Sequence, residues 1–347
     1  EPFKPTVTVA PTPWNTSTKL VHIGIKGFDV APAHKPHSNL VFLIDVSGSM
    51  NEPDKLPLVK SSLKMLLDTM NPDDTIGIVT YAGYAGVALT PTKVADKQKI
   101  IAVIDQLGAG GGTAGGEGIR SAYELAQRHF DKKGVNRVIL ATDGDFNVGI
   151  TDPNQLQKFI EEKRETGISL SVLGFGQGNY NDALMQKLAQ NGNGNAAYID
   201  TINEAHKVLV KEASSTLFTI AKDVKIQVEF NPAMVASYRL IGYESRLLKR
   251  EDFNNDKIDA GEVGAGHAVT AIYEITPAGS AGAVDALRYE ASVAKEKPAA
   301  TNYNGEYGFL KMRYKLPNES ESKLITTPIN KQTEVPSIEQ ASSDVRF

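Results

Sequence analysis

Residues 40–50, LVFLIDVSGSM, set five consecutive apolar residues before Asp45 and then the pattern Asp-x-Ser-x-Ser. An unbroken apolar run this short, bounded by Ser and Gly, predicts a strand buried on both faces, as in a parallel sheet. Asp45, Ser47 and Ser49 then fall in the loop leaving the carboxyl end of that strand, the edge at which open α/β sheets bind ligands. Hard oxygens there suit Mg²⁺, Mn²⁺ or Ca²⁺ and offer no nitrogen or sulfur for zinc or copper. The same three residues also fit an Asx or Ser turn leading into a helix. Taken alone, the pattern leaves both readings open.

Two further segments bear on the choice. RVILATDGD at 137–145 is a second apolar run ending in an acid, Asp143, followed by Gly144. Parallel strands end on the same side of a sheet, so Asp143 is expected to face the crevice of Asp45. Between the two runs lies GAGGGTAGGEG at 108–118, whose glycines allow close backbone approach and φ > 0 turns around a single hydroxyl, Thr113. This order of Asp-x-Ser-x-Ser, glycine-rich threonine loop and Thr-Asp-Gly resembles the von Willebrand factor A (vWA) domain with its metal-ion-dependent adhesion site. The resemblance covers residues 38–218. It implies that Ser47, Ser49 and Thr113 bind a metal directly, that Asp45 acts mostly through water, and that Asp143 acts through water or directly. Mg²⁺ is the ion it favours, with Mn²⁺ or Ca²⁺ as alternatives. Neutral hydroxyls under-neutralise such a cation, which needs six oxygens. The open position then suits an Asp or Glu carboxylate from a protein partner. The family also implies a movement of the last vWA helix on ligand binding, here residues 204–218.

Other chemistries fare less well. GGGTAG at 110–115 satisfies G-x-G-x-x-G, but the preceding residues, with Ile100, Ile101, Val103, Ile104 and Leu107 apolar, have helical spacing where a dinucleotide site needs a strand. No P-loop motif occurs, so nucleotide is not an expected ligand. A net charge of −4 without a basic stripe argues against nucleic acid. A metal-assisted hydrolase is the rival reading; it would need Glu117 or Asp145 as a base near the ion. A scaffold with an inert metal site is the third. A weak calcium site is conceivable at DFNNDKIDAGE, 252–262, where Asp252, Asn254 and Asp256 have EF-hand spacing, but Lys257 and Val263 break the pattern and a structural turn explains it as well. Tyr81, Tyr84 and Phe146 lie close in sequence to the crevice and could form a contact rim, or simply pack.

The remaining sequence divides by period. Val59, Leu63, Leu66, Leu67 and Met70 predict one helix, Ile119, Ala122, Ala126 and Phe130 another, and 153–166 and 181–190 two more. They alternate with strands at 75–81, 169–176 and 196–200. The expected fold is α/β, a doubly wound mostly parallel sheet. KLVHIGIKG at 19–27 and segments 223–232, 268–277, 286–293 and 307–317 instead alternate with period two, which predicts a smaller β-sandwich. The expected organisation is an N-terminal segment, 1–37, lending a strand to the sandwich; a vWA domain, 38–218; the sandwich, 219–330; and a tail, 331–347. At 41% hydrophobic residues the chain can bury two cores. It has no cysteine and no apolar stretch long enough to span a membrane. The flanking arrangement, together with GGGTAGGEGIRSAYELA and REDFNNDKIDAGEVGAGHAVTAIYEITP, is similar to the YfbK-type family of bacterial vWA proteins. That resemblance implies an exported protein of the cell envelope, often a lipoprotein. Any lipid-bearing cysteine would lie ahead of Glu1.

Overall fold

The computed structural model describes residues 1–28, 36–111, 116–144, 153–176, 182–211, 219–242, 253–255, 261–280, 303, 305–316 and 319–346. In chain order the first elements are β1 (Phe3–Thr12), β2 (Asn15–Gly27), β3 (Ser38–Asp45), α1 (Leu56–Leu67), β4 (Thr75–Tyr81), β5 (Ala85–Lys93), α2 (Lys97–Gln106), α3 (Gly116–Arg128), β6 (Val135–Thr142), α4 (Pro153–Glu165), β7 (Ile168–Phe175), α5 (Asp182–Asn191), β8 (Ala196–Ile199) and α6 (Ile202–His206). They are followed by β9 (Thr219–Phe230), β10 (Val235–Ile241), β11 (Gly261–Gly264), β12 (Ala268–Pro277), β13 (Glu306–Lys315), β14 (Lys323–Asn330) and α7 (Ser343–Arg346). The chain divides into two compact units, residues 29–219 and residues 1–28 with 220–347.

The first unit is built on a sheet of order β5-β4-β3-β6-β7-β8, parallel throughout except that β5 runs antiparallel to β4. All eight residues of β3 are buried, as its unbroken apolar run predicts. Val41 and Leu43 join a core with Ile119, Ala122 and Ala126 of α3, Leu156 and Ile160 of α4, and Met185 and Leu188 of α5. Leu40, Phe42 and Ile44 point to the opposite face by strand alternation and are equally buried. The five apolar side chains together favour the folded state by on the order of 10 kcal/mol. On a separate layer α1 packs against α2 and α6, burying Val59, Leu63, Leu66 and Leu67. Helix α6 ends in a wide π turn at Lys207–Lys211; residues 212–218 of the expected last helix lie outside the described ones. Because β4 and β6 flank β3 on opposite sides, the chain reverses its winding there. The crevice of a doubly wound sheet opens at that switch point, at the carboxyl ends of β3 and β6.

Among the described residues, the second unit contains two four-stranded sheets, of orders β1-β2-β12-β10 and β11-β9-β13-β14. Pairing is antiparallel at β1–β2, β2–β12, β10–β12, β9–β13 and β13–β14. Phe3, Val21, Ile23 and Ile275 of one sheet share a core with Leu310, Met312, Tyr314 and Ile329 of the other, which makes the unit a β-sandwich. The strand expected at 19–27 is the interior strand β2, so the α/β unit is inserted in the chain of the sandwich. The expected strand at 286–293 falls outside the described residues. Residues 331–346, expected to form a tail, are instead anchored to the sandwich. Val335 donates its N–H to the Val9 carbonyl at 2.8 Å, Glu334 accepts from the Tyr307 hydroxyl at 2.7 Å, and Lys19 pairs with Glu334.

A cross-strand ion pair in the first of these sheets gives the sandwich a pH-dependent contribution to stability. Arg239 of β10 donates from Nε to the Glu274 carboxylate at 2.8 Å, and Thr18 donates to its other oxygen at 2.8 Å. The Arg239 guanidinium holds the Glu274 carboxyl below its ordinary value of 4.5. A carboxyl lowered by folding stabilises above its unfolded value, and that contribution disappears as pH falls through the folded value. Thermal unfolding measured from pH 6 to pH 3 is therefore expected to decline less in Glu274→Gln than in the native sequence below pH 4.5; parallel profiles would show that the pair contributes nothing.

Candidate functional site

Asp45 ends β3 with no exposed surface. Removing a carboxylate from water costs several kcal/mol unless donors replace the lost hydration. Here the Ser47 N–H donates to Asp45 Oδ1 at 2.8 Å, and the Thr142 hydroxyl at the end of β6 lies 3.4 Å from Oδ2. The Tyr81 side chain, from the end of β4, is fully buried beside these groups. Burial pushes the Asp45 carboxyl above its ordinary value against the Ser47 hydrogen bonds, and the neighbouring Asp143 charge pushes it the same way. Burial, and then the Asp45 charge, hold the Tyr81 phenol well above its own ordinary value.

The loop after β3 folds over this carboxylate. Ser47 is buried, Ser49 is exposed, and their hydroxyl oxygens converge to 3.1 Å. The glycine-rich segment is laced to the same loop: Gly48 donates to the Gly111 carbonyl at 3.1 Å and Gly110 donates to the Val46 carbonyl at 2.8 Å. Behind it, Gly118 lets α3 lie on β4, because a Cβ there would stand 3.0 Å from that of Tyr81. Asp143, the first residue after β6, is buried beside these groups. Asp45, Ser47, Ser49 and Asp143 are thus gathered at one sheet edge, while Thr113 lies outside the described residues. So do Asp145 and Phe146. Glu117 sits in the first turn of α3.

The donor set, two carboxylates and two hydroxyls gathered at one sheet edge, suits a hard divalent cation. Among the described residues no three His, Cys, Asp or Glu side chains form a metal cage. Hydroxyl oxygens would therefore have to supply part of the coordination. A positive charge is already present: Lys55 Nζ, from the residue preceding α1, donates to Asp143 Oδ2 at 2.9 Å and to the Ser49 carbonyl at 3.0 Å. Nothing in the periodicity of α1 marks this lysine.

The expected contact rim is corrected in part. Tyr81 is fully buried, because the final residue of β4 points inward onto the core beneath Asp45. Tyr84 is 83% exposed, at the tip of the β4–β5 hairpin. Of the expected calcium residues, Asp252 and Asp256 lie outside the described residues, and the Asn254 side-chain oxygen accepts from Arg313 at 2.9 Å.

Comparison with known proteins gives two family matches. The model described as "von Willebrand factor type A domain" matches residues 39–211, and the one described as "Uncharacterized protein YfbK, C-terminal" matches residues 215–347. The chain is 46% identical over 346 residues to the uncharacterized protein YfbK of Escherichia coli (strain K12), taking in 100% of this chain and 59% of that protein. It is 30% identical over 169 residues to human inter-alpha-trypsin inhibitor heavy chain H4, 46% of this chain and 18% of the relative. The chain thus spans less than two thirds of the length of either. Among solved structures, von Willebrand factor type A from Catenulispora acidiphila is similar with a TM-score of 0.52 and 16% identity, over 95% of this chain and 74% of that one. At that identity the likeness concerns the fold alone.

The contrast between the two tyrosines is measurable. Tyr81→Phe removes a buried hydroxyl from beneath a carboxylate and is expected to cost about 1–3 kcal/mol in chemical unfolding. Tyr84→Ala removes an exposed side chain and is expected to stay within about 0.5 kcal/mol of the native sequence. Equal losses would contradict the burial pattern.

Proposed function

Since the chain belongs to the von Willebrand factor A proteins of the YfbK type, we propose that it is a divalent-cation-dependent protein-binding module whose metal recruits an acidic residue of a partner. Von Willebrand factor A domains commonly serve as protein-interaction modules. The observation that carries the finer reading is the convergence of the Ser47 and Ser49 hydroxyls, 3.1 Å apart, beside the fully buried Asp45. Ser47, Ser49 and Asp45, with Asp143 and the sequence-placed Thr113, would hold the ion, Mg²⁺ in the first instance. The ion would supply an electrophilic site for an outside carboxylate. The residues themselves limit what enters: the hydroxyl donors carry no charge and Lys55 already pairs with Asp143, which would leave positive charge on the ion and favour an Asp or Glu side chain over a neutral ligand. On the same reading the protein acts at the bacterial cell envelope, an assignment supported by the family resemblance.

Metal-stripped protein titrated with Mg²⁺, Mn²⁺ and Ca²⁺ tests this reading by thermal unfolding. At about ten times its dissociation constant an ion that binds only the folded state stabilises by roughly 1.4 kcal/mol, a rise of about 3–6 °C for a domain of this size. The rise is expected to saturate and to vanish in Asp45→Ala; a shift that persists in that variant would put the ion elsewhere. Fractionation of cells making the full-length protein is expected to recover it with the envelope, and recovery with the cytosol would contradict the assignment.

A further inference from the structure

Lys55 is held where a charge at the crevice matters most. Its stem lies on the backbone at Gly176, immediately after β7: a Cβ there would come 2.5 Å from Lys55 Cγ and 2.7 Å from Cε. Gly176 is at φ +80°, a conformation that side chains disfavour, and its carbonyl accepts from the Tyr198 hydroxyl. The lysine stem therefore has a fixed floor. Its side chain is only 15% exposed, and that of its partner Asp143 only 5%. Lysine is rarely this buried unless its charge is paired. The ammonium ties together the ends of three segments: the loop after β3 through the Ser49 carbonyl, the loop after β6 through Asp143, and the loop after β7 through the packing of its stem.

We infer that Lys55 is a specificity-determining residue of the adhesion site, a resident counter-cation that takes the charge of Asp143 so that a divalent ion binds with a net positive charge and completes itself with a carboxylate from a partner. This rests on the function proposed above. Asp45 and Asp143 contribute two negative charges and Lys55 returns one. A divalent ion then leaves these groups at +1, and one incoming carboxylate brings them to neutrality. Without Lys55 the ion alone would reach neutrality, and the outside carboxylate would lose its electrostatic advantage. Lys55 therefore weakens the hold on the bare ion and strengthens the coupling between ion and ligand. By Coulomb's law a unit charge a few ångströms from a divalent ion changes its binding by about tenfold even at the dielectric constant of water.

The test is Mn²⁺ binding to the full chain, followed by the electron paramagnetic resonance signal of the free ion. Native protein, Lys55→Met, Lys55→Arg and Asp45→Ala are compared in chloride and in acetate at equal ionic strength. Lys55→Met preserves the stem on Gly176; should it fail to fold, Lys55→Gln takes its place. The expected result is Mn²⁺ binding about tenfold tighter in Lys55→Met than in the native chain, with Lys55→Arg closer to native. Acetate should tighten Mn²⁺ binding more in the native chain than in Lys55→Met. Binding that appears only when Lys55 is replaced would overturn the inference, because the native site would then hold no ion to present to a carboxylate. Equal or weaker Mn²⁺ binding in Lys55→Met, with Asp45→Ala inactive, would overturn the role of Lys55 and leave the adhesion site standing. Binding unaffected by Asp45→Ala, or absent from both the native chain and Lys55→Met, would overturn both.

Discussion

The carboxylate of Asp45, fully withdrawn from water at the end of the central strand, dictates how three neighbouring segments are arranged. An ionised group in that position needs donors, and the sheet can supply them only from adjacent strand ends and from the loop that follows. Thr142 arrives from β6 and the Ser47 N–H from the turn that closes over the strand, with the Tyr81 side chain of β4 buried alongside. The parallel pairing of β3 with β4 and β6 brings those ends to one edge. The same closure turns the Ser47 and Ser49 hydroxyls toward each other and brings Gly48 against Gly111. The site is therefore a consequence of solvating one acid inside a sheet, before any metal or partner is considered.

Charge at this edge is nearly balanced by the protein itself. Asp143 is a second buried acid close enough to raise its neighbour's affinity for protons, and Lys55 offsets it. Such an arrangement differs from a cage of carboxylates, which would bind a divalent ion strongly without assistance. On the proposed reading, a hydroxyl-rich site with an internal ammonium would hold the ion more weakly and gain more from an anionic ligand. That property links the chemistry of a few side chains to the interaction role of the domain family.

Much of this architecture is legible in the sequence, with a physical pattern to what is not. Interior strands such as β3, β6 and β7 are buried on both faces and announce themselves by unbroken apolar runs. The strands without a clear signal, β1, β5, β10, β11 and β14, are all edge strands among the described residues. Three of them carry proline, Pro5 and Pro11 in β1, Pro91 in β5 and Pro328 in β14. An edge strand tolerates proline because one side of its backbone has no ladder to complete. At the crevice, Asp45, Ser47, Ser49 and Asp143 are readable because acids and hydroxyls interrupt apolar runs. Tyr81 and Tyr84 cannot be ranked from sequence, since only strand alternation and the hairpin tip decide that one is buried and the other exposed. Lys55 is silent for a different reason: its meaning depends on Gly176, far along the chain, which leaves room for its stem.

Diffraction from crystals grown with Mn²⁺, recorded at the manganese absorption edge, is the most direct test of the adhesion-site reading. The predicted result is an anomalous peak bounded by the Asp45, Ser47 and Ser49 side chains, with an exogenous oxygen ligand completing the shell. A well-ordered crevice without such a peak at saturating Mn²⁺, or a peak confined to another part of the molecule, would contradict it.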